Sequence, residues 1–130
     1  MNQKGFATLE IILMVMVIGI LATMAVPQFE KITASANTSK VQSDLAAINS
    51  ASAVYQMEKG AIPTYAQLTE ATTSGKATYF ENGVPQPPTG KIYISGTVTS
   101  IAANTNYNLD SDGKAIFGSY TAEQITTKSS

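Results

Sequence analysis

The sequence predicts an α+β protein. One long N-terminal helix, transmembrane in its first half and amphipathic in its second, packs on a small antiparallel β-sheet head. Three observations predict it. From Phe6 to Val26 the only polar side chains are Thr8, Glu10 and Thr23, a run of about the 20 residues that a membrane-spanning helix needs. Gln28 to Met57 holds no Gly or Pro, and Val41, Leu45, Ile48, Ser52 and Tyr55 recur at steps of four and three, which gives one apolar face. From Lys91 onward, β-branched residues alternate with small ones between Gly and Asp-Gly signals, the pattern of short strands and hairpins.

A polar leader, residues 1–5, precedes the apolar run. A helix continuous from Phe6 to Met57 would hold about 52 residues and reach ~78 Å at ~1.5 Å per residue. Lys59-Gly60 ends it, with Gly60 as a left-handed cap. Pro63–Ala71 reads as a short helix starting at Thr64, and Thr72–Gly75 as a loop. Val84–Gly90 is rich in Pro and reads as a rigid extended link, since Pro cannot sit in a central strand. Lys91–Ala103 reads as one strand. Tyr107–Tyr120 reads as a hairpin with Asp112-Gly113 at its turn. The head then has about three strands, four if Ala77–Glu81 pairs. The polar tail after Tyr120 reads as loosely ordered. There is no internal repeat.

Composition excludes several function classes. Among 130 residues there is no Cys, His or Arg, and the net charge is −1. Thiol and imidazole chemistry are therefore absent, zinc has no ordinary ligand set, and no Ser or Thr has a His to activate it. All eight basic residues are Lys, so the bidentate fork that often recognises phosphate is missing. There is no Gly-rich phosphate loop. Tyr55, Tyr65, Tyr79, Phe80, Tyr93, Tyr107, Phe117 and Tyr120 could stack on single-stranded nucleic acid. No basic cluster accompanies them, so they read as head core, and nucleic-acid binding by the isolated subunit is not expected.

The apolar run admits three readings. A secretory signal peptide needs an apolar stretch of roughly 7–15 residues; this one is longer and contains Glu10. A plain single-span anchor fits the length, and Lys4 outside its start places the N-terminus in the cytoplasm. Yet an ionised carboxylate facing lipid costs on the order of 3 kcal/mol or more. Glu10 must then snorkel to the interface, become protonated or find a partner.

The third reading gives Glu10 its partner. Lys4-Gly5, then Phe6, Ala7-Thr8-Leu9 and Glu10, then a long apolar helix with "GILATMAVPQF" at Gly19–Phe29, closely resemble the N-terminus of type IV pilins and pseudopilins. The resemblance covers about the first thirty residues. It implies a leader of residues 1–5, a transmembrane and assembly helix of residues 6–27, and a pilin head of residues 28–130 that includes the second half of the long helix. It implies cleavage between Gly5 and Phe6 by a membrane prepilin peptidase and N-methylation of the Phe6 amine. It further implies pairing of Glu10 with the Phe6 amine of a neighbouring subunit in a helical homo-oligomeric filament. Gly19 and Pro27 would bracket a segment that loses helicity on assembly. The implied partners are the cytoplasmic membrane, an inner-membrane assembly platform and that platform's ATPase. The implied location is the cytoplasmic membrane, N-terminus inside, and then a cell-surface or periplasmic filament.

Three roles stay open: major subunit of a surface pilus, major pseudopilin of a type II secretion system, or competence pilin of a DNA-uptake machine. Glu10 favours a bulk subunit over a tip subunit, and the absence of Cys leans toward a pseudopilin or a Gram-positive-type pilin. A monomeric membrane-anchored binding module is the rival from another class; an enzyme is not expected. No cofactor is expected apart from one candidate. Asp110-Ser111-Asp112-Gly113 resembles the start of a calcium loop, but Lys114 and Thr121 occupy later ligand positions of an EF-hand, which excludes that motif. Asp110 and Asp112 are the candidate calcium ligands, against the plainer reading of Asp-Gly as a turn.

Overall fold

The computed structural model describes residues 3–70 and 79–129. The chain forms two compact units that divide between Thr33 and Ala34, within helix α1 (Gln3–Lys59). In the first unit every described side chain is exposed. Ala, Leu and Met supply helix propensity there, and the Thr8 and Thr23 hydroxyls donate back to the carbonyls of Lys4 and Ile20. Pro27 lies inside the helix. Its missing N–H leaves the Thr23 carbonyl without the usual helical donor.

The second unit is built on the stripe expected of α1. Ala34, Thr38, Val41, Leu45, Ile48, Ala51 and Ser52 are buried, and Tyr55 packs at the edge of the core. Gly60, at φ +68°, ends the helix and donates its N–H to Gln56 O. Helix α2 (Tyr65–Thr69) starts at a capping box, as Thr64 and Gln67 exchange side chain-to-backbone bonds and satisfy two otherwise orphaned donors. Its Leu68 is buried. The Pro-rich link to Gly90 is neither helix nor strand.

Strands β1 (Lys91–Ile94) and β2 (Thr97–Ser100) replace the single strand expected over Lys91–Ala103. Ser95 and Gly96 have φ of +47° and +79°, a two-residue turn of the primed kind whose twist matches the flanking strands. The strand pattern reads through this turn because Ser hides it where Asn would announce it.

The expected hairpin is present as β3 (Tyr107–Leu109) and β4 (Ala115–Phe117), followed by the short β5 (Tyr120–Thr121). The N–H of Gly113 bonds to Asp110 O, the N–H of Asp110 bonds to Lys114 O, and Gly113 has φ +77°. This is a three-residue loop closed by a glycine bulge. Among the described residues the head thus has five strands in two antiparallel sheets, β1–β2 and β3–β4–β5, rather than three or four strands in one. Tyr79–Glu81 forms part of a turn, not a strand. The remainder of that expected strand, and the Thr72–Gly75 loop, lie outside the described residues.

The tail is not loose. Ile125 is fully buried, in one core with Val41, Leu45, Ile48, Leu68, Ile92, Tyr107 and Phe117. Polar residues in and beside the helical stripe tie the sheets and tail to α1. Asn37 Nδ2 donates to the carbonyls of Thr89 and Lys91, and Thr38 Oγ1 accepts from the Tyr93 N–H. Gln42 Nε2 donates to Ile125 O, Asn49 Oδ1 accepts from the Ala115 N–H, and Ser52 Oγ donates to Gly113 O.

Candidate functional site

The N-terminal candidates lie on α1. Gly5, Phe6 and Glu10 are exposed helical residues, and Phe6 keeps 58% of its surface. Residues four apart share a helix face, so Glu10 sits one turn beyond Phe6 on the same face. Around it the surface is largely apolar: Leu9, Ile11, Ile12, Leu13 and Met14 are all exposed. The helix is long and apolar enough to cross a membrane, and none of its most apolar stretch is buried. A soluble monomer seldom shows so large an apolar surface, which marks a membrane or protein contact. Gly19 and Pro27 lie farther along this same exposed stretch, and a methyl group added to Gly19 would meet nothing.

Asp110 and Asp112 lie in the β3–β4 loop. Asp110 Oδ1 accepts from the N–H groups of Asp112 and Lys114, so this oxygen shapes the loop as an Asx turn does. Among the described residues no three acidic side chains gather in a metal-binding cluster.

The aromatic residues are distributed through the head. Phe80, Tyr107 and Phe117 are buried, while Tyr55, Tyr65, Tyr79 and Tyr120 pack against the core. One polar constellation escaped the sequence reading. The Tyr107 hydroxyl donates to Asp44 Oδ2 at 2.6 Å, and Lys40 Nζ meets the same oxygen at 2.6 Å while also donating to Gln86 O. Burial, then the hydrogen bond to Asp44 and that residue's charge, push the Tyr107 pKa far above the ordinary tyrosine value. Tyr65 is raised by burial and by Asp44, and Tyr79 chiefly by its hydrogen bond to Glu58. The only sequence signal was the i, i+4 pair Lys40–Asp44, which is common on exposed helices.

The chain is 33% identical over 102 residues to the type II secretion system core protein G of Klebsiella pneumoniae, a match covering 71% of this chain and 73% of that protein. It is 38% identical over 68 residues to the type IV narrow pilus major component of Thermus thermophilus, covering 52% of this chain and 59% of that protein. A fimbrial protein of Pseudomonas aeruginosa is 39% identical over 49 residues, which cover 38% of this chain and 32% of that protein. No family model and no solved structure matches the chain. These relatives, the apolar helix and the small β head agree: the chain belongs to the type IV pilin and pseudopilin family. That family consists of structural proteins rather than enzymes, and membership implies assembly into filaments.

Proposed function

We propose that this chain is a structural subunit of a type IV pilus-like filament. A prepilin peptidase cleaves between Gly5 and Phe6 and methylates the new Phe6 amine. The subunit waits in the cytoplasmic membrane, N-terminus inside, anchored by residues 6–27, with residues 28–130 as its head. An assembly platform driven by a separate ATPase then draws it into the filament.

One observation carries this reading: a single carboxylate, Glu10, set one turn after Phe6 in a wholly exposed apolar helix face. Such a carboxylate is costly in lipid and needs a cation. Cleavage would create one at Phe6. A neighbour displaced by about four residues, ~6 Å along the axis, brings its amine to Glu10. The pair would then set axial register, as a buried polar residue does in a coiled coil. Residues 18–26 lose helicity in the filament, because Gly19 and Pro27 already weaken the ladder there.

The secretion pseudopilin is the second specific role. It is favoured by the longer reach of the match to the secretion core protein, 73% of that protein against 59% of the pilus component. Intact mass and the N-terminal peptide of the protein from its native membrane test the common mechanism. An N-methylated Phe6 terminus is expected. A chain still beginning at Met1 in cells with active prepilin peptidase would overturn it in favour of a monomeric anchored module.

A further inference from the structure

The two sheets of the head share no strand pair. Among the described residues, the tail makes the backbone hydrogen bonds that join them. The N–H of Ser95 donates to Gln124 O at 2.7 Å, and the N–H of Gly96 to Thr126 O at 3.0 Å. These are the turn residues of the β1–β2 hairpin, while the tail continues directly from β5. Three further features hold the tail in place. Ile125 is fully buried in the core. Gln42 Nε2 donates from α1 to Ile125 O at 2.7 Å. Gln124 Oε1 accepts from the N–H and hydroxyl of Thr121, and the N–H of Gln124 returns to Thr121 O, so the segment carries its own folded turn. At its far end, a methyl on Gly96 would lie 2.7 Å from the backbone nitrogen of Ser129. That fit leaves no room for a side chain.

We infer that residues 122–129 are a clasp, a separately opening element that makes the β1–β2 hairpin and the β3–β4–β5 sheet one mechanical unit. The hairpin's other edge is held to α1 by the Asn37 and Thr38 contacts and by Ile92, buried in the core with Val41, Leu45 and Ile48. Among the described residues its turn hydrogen-bonds to no strand of the second sheet, so releasing the clasp loosens the hairpin from its turn inward. The stripe of α1 against β3 and β4 keeps its own anchors at Asn49 and Ser52. Opening is therefore local and leaves the helix folded, in the manner of a cooperative sub-global unit. Unclasping would uncover the seat of Ile125 in the core. This inference concerns the head alone and does not depend on which filament the subunit serves.

Amide hydrogen exchange on the full chain in detergent micelles tests it, comparing wild type with Gly96→Ala. In the wild type, amides of Ser95, Gly96 and residues 124–126 should exchange together and at least about tenfold faster than those of residues 41–52. In the variant, residues 91–100 and 122–129 should both lose protection at least another tenfold while residues 41–52 keep theirs. A tail that opens while the hairpin stays protected would overturn the inference. So would a head whose amides all exchange at one rate. Should Gly96→Ala fail to fold, Gln42→Ala repeats the comparison by removing the helix-to-tail bond alone, and the same two outcomes overturn the clasp.

Discussion

Burial, a short hydrogen bond and a neighbouring carboxylate all hold the proton on the Tyr107 hydroxyl. Its folded pKa lies above the unfolded value of about 10, so its stabilising contribution is complete below that pH and is lost as pH rises above it. Denaturant titrations of the head should show stability falling from about pH 10 upward. Tyr107→Phe should cost about 2 kcal/mol at neutral pH, the usual loss for a hydrogen bond to a charged group, and should flatten the alkaline decline. At the same scale, Ser95→Asn should stabilise by ~0.5 kcal/mol, read as a higher melting temperature, because Asn accepts the left-handed first position of a primed turn more readily than Ser.

At the scale of elements, α1 was legible over its whole length because its signals are local and repeated. The 3.6-residue period of Val41, Leu45 and Ile48 needs no knowledge of what they touch. Leu45→Ala should therefore cost about 3 kcal/mol in the head, whereas exposed Ser50→Ala should stay within about 0.5 kcal/mol; parallel urea titrations would compare them. The strands were harder to read. Each has two to four residues, too short for alternation to declare where one ends and the next begins. The break at Ser95-Gly96 was hidden by the β-branched residues on either side. The tail was misread because a single residue, Ile125, anchors it among polar neighbours. Its ties to the hairpin and its hydrogen bond to α1 are made at its own backbone carbonyls, which a sequence does not display. The Asn and Gln anchors of α1 escaped for the same reason, since their partners are main-chain atoms of distant segments.

At the scale of the whole molecule, the N-terminal candidates were legible because their chemistry is conspicuous. One acid interrupts an apolar run, and Gly and Phe stand one turn before it. The Tyr107–Asp44–Lys40 constellation was not, because residues 63 apart must be folded together to make it. The filament reading gives Glu10→Ala a clear expectation. The subunit should still enter the membrane and keep a head of normal stability, while filaments in the sheared fraction are lost. Immunoblots of membrane and sheared fractions, with electron microscopy of the latter, would show whether assembly alone has failed.

In the described chain the first buried side chain is that of Ala34, one residue past the boundary between the two units. A shortened gene whose product begins near Glu30 would keep every packed side chain of the head and both helix-to-hairpin anchors at Asn37 and Thr38. It would also shed the exposed apolar stretch that begins at Phe6. Such a product should dissolve in plain buffer and suit crystallisation or solution NMR.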